Sequence, residues 1–306
     1  MPTSVTHLRR SGSSRSVLMV LGSCVSLQLG AAVATPLLHH LGTGLPVMFR
    51  LLLAGALLLA VFRPRVNRWT RSQWTSVLVF GLALGGMNGF FFAAIARIPL
   101  GTAVTIEFAG PLLLAALLGR GPRHLVCVAA AAIAIAALGL HGSGTATAHL
   151  DAAGVILALI AAGFWALYML AGKQVGAQVP GHGALAVGML VGAAATLPFA
   201  APALPALAQA PSLLSQLAAV AVLSSVNPYT LEFAAMRRLD TQTFGVLLSL
   251  EPAVAGIAGW VLLGQSLSWV DAGAIVTVVV ASAIATLDRR PDATPTRSDL
   301  TAVGAG

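Results

Sequence analysis

Two carboxylates stand inside apolar runs, each beside a proline: Glu107 in Thr105-Ile106-Glu107-Phe108-Ala109-Gly110-Pro111, and Glu251 directly before Pro252. Other apolar runs hold Gln28, Arg50, Asn88, Trp165, Tyr168 and Tyr229. An unpaired charge at the middle of a bilayer costs at least ~2.5–3.5 kcal/mol, so Arg50, Glu107 and Glu251 must face protein or water. These groups suit a zwitterion, with Arg50 on its carboxylate and Glu107 or a free backbone carbonyl on its ammonium. They also suit proton transfer, for which Glu107 and Glu251 are the candidates. An Arg50–Glu107 ion pair would satisfy both charges with no ligand at all.

The prolines bear on the same chemistry. Pro111 withholds an N–H from the carbonyl of Glu107, and Pro252 withholds one from Leu248. Asn227-Pro228 interrupts a third run in the same way. Pro111, Pro228 and Pro252 are therefore expected to bend their helices. The freed carbonyls either line a cavity or are met by a neighbouring Ser, Thr or water. Trp165 and Tyr168, three apart on one helical face, wall a pocket or simply pack. Glu232 lies close enough to Arg237 to be a solvated helix end or an ion-pair partner.

The elements that position these groups follow from composition. With 306 residues, 58% of them hydrophobic and 8% charged, the chain has too little polar surface for a soluble globule and reads as an all-α integral membrane protein. About 20 apolar residues cross a bilayer as a helix. Ten such spans are predicted, at 17–35, 45–62, 74–93, 101–119, 124–141, 152–171, 183–201, 213–234, 242–263 and 268–287. At about 1.5 Å per residue, Gln28, Arg50, Asn88 and Glu107 share one depth in the outer half, and Tyr229 and Glu251 lie in the inner half.

A pI near 11.2 raises the question of nucleic acid, and the placement of the charge answers against it. Fifteen of the 17 Lys and Arg fall in alternate connections; Arg97 is in an opposite one and Arg50 is in a span. That pattern places both termini in the cytoplasm. The basic N-terminus and the small residues near Ala32-Val33-Ala34 resemble a secretory signal, but the apolar stretch is long for a signal core and is read as the first helix. Cys24 and Cys127 form no metal or redox spacing. The phosphate-loop and His-Glu-x-x-His patterns are missing, so neither direct use of ATP nor a metal nor any other cofactor is expected. His39-His40 reads as a solvated loop.

Residues 92–111 laid on 233–252, a shift of 141, match at Phe92, Ala93, Ala94, Arg97, Thr102 and Pro111, six identities in twenty. If these are the third and fourth spans of one half and the eighth and ninth of the other, each half has five helices and the second enters from the opposite side. The architecture expected is two inverted five-helix repeats. The divisions are a cytoplasmic tail over 1–16, a first repeat over 17–141, a second over 152–287, and a cytoplasmic tail read as disordered over 288–306. Gly85-Gly86 and Gly188-Met189-Leu190-Val191-Gly192 allow close helix approach.

At Leu84-Gly85-Gly86-Met87-Asn88, Ile98-Pro99-Leu100-Gly101-Thr102, Glu107-Phe108-Ala109-Gly110-Pro111, Phe164-Trp165-Ala166-Leu167-Tyr168, Pro228-Tyr229-Thr230-Leu231-Glu232 and Thr243–Pro252, the chain resembles the EamA type of the drug/metabolite transporter superfamily. Its bacterial threonine and homoserine exporters are the nearest in pattern. The resemblance implies a ten-helix inner-membrane carrier, not an enzyme, that exports small amino acids by alternating access in exchange for protons. It implies substrate contacts from Glu107 and Asn88, with Arg50, Gln28, Trp165, Tyr168 and Tyr229 as further candidates. A homodimer is compatible with it. Gln265 stands where the superfamily often has Glu, which puts a role for that position in doubt. An exporter of another metabolite or drug is the alternative; a passive channel or membrane-embedded enzyme is remote.

Overall fold

The computed structural model describes residues 5–118, 122–141, 150–179, 183–236 and 238–287. The tail expected over 288–306 lies outside the described residues, as do Arg120 and Arg237. Among the described residues every element is helical. In chain order they are α1 (Val5–Leu41), α2 (Gly44–Phe62), α3 (Arg71–Ile95), α4 (Leu100–Glu107), α5 (Ala109–Leu118), α6 (Pro122–His141) and α7 (Ala152–Gln178). There follow α8 (Gly183–Ala200), α9 (Leu204–Gln209), α10 (Ser212–Ala221), α11 (Asn227–Met236), α12 (Thr241–Leu248), α13 (Glu251–Leu263) and α14 (Trp269–Leu287).

Nine helical stretches among the described residues are long and apolar enough to cross a membrane, and α6 contributes a shorter apolar stretch, Leu125–Leu138. Each of the ten predicted spans falls on one of them. The chain is a multi-pass membrane protein. Its large outward side chains are apolar, among them Leu117, Val126, Ile133, Phe199 and Trp260, as expected of a surface that meets lipid tails rather than water.

Local sequence sets where the helices start and stop. Gly42, at φ +68°, makes the turn between α1 and α2. Thr70 and Gln73 bond each other's backbone N–H in a capping box that starts α3. Asp151 caps α7 and Asp240 caps α12. Both acids are exposed and sit below the usual carboxylate range. For Asp151 the chief cause is the Ala153 N–H, helped by Arg97; for Asp240 it is the Thr243 N–H, helped by the Thr243 hydroxyl.

The fourth span divides at Phe108 into α4 and α5, and the ninth divides at Ser249-Leu250 into α12 and α13. Both breaks sit where Pro111 and Pro252 withhold a donor from residues 107 and 248. Moved by 141, the bounds of α4 become those of α12. Packing follows a matching scheme. The third span, α3, lies along α7 of the sixth, and the eighth, α10 with α11, lies along α1 of the first. The second and seventh spans pair through α2 and α8, the fourth and ninth through α4 and α13, and the fifth and tenth through α6 and α14.

Small residues make those contacts close. A Cβ placed on Gly85 would come 2.9 Å from the Gly192 Cα, and one on Gly81 would come 2.6 Å from the Gly188 carbonyl. Two glycines four apart on α3 thus face two glycines four apart on α8. Gly101 of α4 meets Gly256 of α13 just as closely, at 2.6 Å.

One end of the bundle is basic, with exposed Arg63, Arg65, Arg68, Arg71, Lys173 and Arg238. At the opposite end Arg97 is paired with Asp151 at 3.2 Å. The exceptional basic residue in that set of connections is thereby neutralised.

Candidate functional site

Arg50 sits on α2 with 5% of its surface exposed. Its Nη2 donates to the Ser224 carbonyl at 2.8 Å and its Nε to the Ser225 hydroxyl at 3.1 Å. The reason lies four residues further on. In a regular helix the Ser224 carbonyl would accept the N–H of residue 228, and Pro228 has none. The eighth span accordingly widens into a π-helical turn over Val222–Val226 between α10 and α11. Ring atoms of Phe92 lie under the guanidinium, 5.3 Å from Cζ to the ring centroid.

Glu107 closes α4 with 8% exposure and accepts no hydrogen bond from any described residue. It lies within electrostatic range of Arg50 but is not ion-paired with it. Of the two readings left open by the sequence, the Arg50–Glu107 pair is not formed; the arginine is held by the eighth span and the carboxylate has no partner among the described residues. Buried Asn88 on α3 donates Nδ2 to the Leu84 carbonyl, which occupies only half of its amide. Gln28 on α1 is 2% exposed, and its Oε1 is fully buried with no donor among the described residues.

Around these groups stand the aromatic residues. Trp165 meets the Phe108 ring edge to face at 4.9 Å, directly beside the break between α4 and α5. Tyr168 packs on Phe80, also at 4.9 Å. Half-buried Tyr229, on α11, is an electrostatic neighbour of Arg50. Buried Glu251, at the start of α13, neighbours both Glu107 and Glu232. Glu232 accepts from the Ser23 hydroxyl at 3.0 Å, while Arg237, its candidate ion-pair partner, lies outside the described residues. The structure thus draws Arg50, Glu107, Tyr229 and Glu251, from four different spans, into one electrostatic neighbourhood.

Sequence reasoning missed the serines. Ser23, Ser224 and Ser225 are all buried, and two of them hold Arg50. A signal for Ser224 was present: the argument that frees carbonyls 107 and 248 also frees carbonyl 224 ahead of Pro228. No comparable signal marks Ser23, because its partner is 209 residues away.

Comparison with known proteins bears on what this arrangement serves. The model of the EamA-like transporter family matches residues 152–287. The threonine/homoserine exporter RhtA of Salmonella typhimurium is 38% identical over 277 residues, which cover 90% of this chain and 92% of that protein. The threonine/homoserine exporter RhtA of Escherichia coli strain K12 is 36% identical over 279 residues, with the same two coverages. The chain belongs to the EamA-like transporter family. A crystal structure 22% identical in sequence aligns with a TM-score of 0.59, over 90% of this chain and 97% of that one, and carries the same fold. As an EamA-like transporter the protein has a use for ionisable groups within its helices that packing does not supply.

Proposed function

We propose that the protein exports small amino acids of the threonine and homoserine class across the bacterial inner membrane, with both termini in the cytoplasm and protons as the exchanged ion. One observation carries this reading. A buried guanidinium and a buried carboxylate are neighbours, yet each is left able to meet a ligand rather than the other. A zwitterionic amino acid supplies both missing partners. Arg50 meets its carboxylate, Glu107 its ammonium, and protonation of Glu107 releases it. Asn88 and Gln28 offer further polar contacts at the same depth, while Trp165, Tyr168 and Tyr229 wall the site. The named activity of the relatives, over nine-tenths of this chain, supports the same class.

Alternating access between two inverted repeats is supported by the coincidence of α4 and α12 under a shift of 141 and by the matched helix pairs. The test is uptake of labelled threonine and homoserine into everted membrane vesicles. Uptake saturates, is stimulated by amino acid on the opposite side, and rises with an imposed proton gradient. Glu107→Gln abolishes the gradient's effect. Gradient-dependent uptake by that variant, across pH, removes the proton role; a nucleoside or drug moved in place of threonine replaces the substrate class.

A further inference from the structure

One face and one edge of the Arg50 guanidinium are accounted for by the fold. One face is covered by Phe92, which is completely buried. The edge formed by Nε and Nη2 is occupied by the Ser225 hydroxyl and the Ser224 carbonyl. Nη1 has no acceptor among the described residues, yet it is not among the buried polar atoms sealed from solvent without a partner. The edge between Nη1 and Nη2 is therefore the one open to a ligand. Its two parallel N–H groups match a carboxylate.

We propose that Pro228 and Ser225 are positioning residues that aim this edge of Arg50 at the carboxylate of the cargo. The inference rests on the amino-acid reading above and adds a requirement to it: recognition depends on the cargo's carboxylate, and depends on it through the eighth span. Pro228 acts by what it lacks. Without its N–H the Ser224 carbonyl is free to take Nη2, and the widened turn brings the Ser225 hydroxyl to Nε. A lysine cannot replace the arginine, because an ammonium has no second edge to be held by.

The test combines transport with chemical protection. Ser225→Ala removes one holding contact and Pro228→Ala returns a competing donor to the Ser224 carbonyl. Each raises KM for threonine roughly tenfold, the value of one charge-assisted hydrogen bond, with little change in maximal rate. Ser225→Thr, which keeps the hydroxyl, restores the wild-type KM. In wild-type vesicles threoninamide, lacking the carboxylate, competes poorly with threonine. In the purified protein phenylglyoxal labels Arg50, read by mass spectrometry, and α-amino acids block the labelling whereas threoninamide does not.

Unchanged KM in both variants, or equal protection by threoninamide, overturns the proposal. If the wild type moves no threonine or homoserine, the amino-acid reading fails on its own. The protection arm then decides the positioning claim separately, across a panel of other carboxylates: selective protection upholds it, and none overturns it.

Discussion

A buried amide oxygen without a donor, as at Gln28 Oε1, is a cost that an apolar side chain of similar size removes. Gln28→Leu is therefore expected to stabilise the empty transporter by about 1–3 kcal/mol, seen as a higher melting temperature in detergent. If Oε1 meets a donor on the cargo, the same change weakens threonine transport; a variant that is both more stable and fully active removes Gln28 from the site. Arg50 and Glu107 were legible in sequence because a charge within an apolar run has few explanations. The partner of Arg50 was not, since its acceptors lie 174 and 175 residues away and one is a backbone carbonyl, which no residue type announces. Lone polar residues such as Asn88 and Gln28 mark a depth in the membrane, but their partners come from packing.

At the scale of single helices, α4 is preceded by Pro99, whose side chain can cap nothing, and the first N–H of the helix, that of Leu100, is met instead by Gln265 Oε1 at 3.0 Å from beyond the end of α13. This gives a use to the position where the family resemblance had put a role in doubt. Gln265→Ala is expected to cost about 1 kcal/mol, the usual value of a lost helix cap, while Gln265→Glu keeps the acceptor and the stability. Thermal unfolding of the three proteins in one detergent distinguishes them. The caps at Asp151 and Asp240 titrate instead. Their folded carboxylates sit below 3.8, so their contribution is complete above that value and disappears as pH falls through the lower folded one. Amide protection at Ala153 and Thr243 should accordingly persist at pH 4, fade on further acidification, and lose that pH dependence in the asparagine variants. The spans and the proline breaks were readable because length, hydropathy and a missing N–H are local properties. The π-helical turn at Val222–Val226 was not, because a missing donor predicts an interruption without saying whether the helix kinks, divides or widens.

Across the whole molecule α4 and α12 share bounds under the shift of 141 but not surroundings. All eight residues of α4 are buried, whereas the described side chains of α12 from Gln242 to Leu248 are each half-exposed. The opposite end is closed by the Gly101–Gly256 contact and the Gln265 cap, while α5 and α12, their counterparts at the basic end, form no comparable seam among the described residues. Six identities in twenty point to a repeat, the reading proposed above, but they cannot reveal this asymmetry, because apolar helices that pack tightly in one state and loosely in another use the same residue types. Under the proposed repeat the conformation seen here opens toward the basic end. Thr105, one turn beyond Gly101 on α4, is 0% exposed, and its counterpart under the 141 shift, Val246, is half-exposed. With Cys24 and Cys127 replaced, Thr105→Cys should resist a membrane-impermeant maleimide added from the closed end, while Val246→Cys reacts with reagent added at the basic end. Adding Gly101→Leu wedges α4 away from α13, since even a Cβ at Gly101 would stand 2.6 Å from the Gly256 Cα. Labelling at Thr105→Cys should then rise and labelling at Val246→Cys fall, since two packings that exclude each other cannot both be open. If the two positions respond independently, the halves do not exchange as one two-state unit, and alternating access fails for this chain.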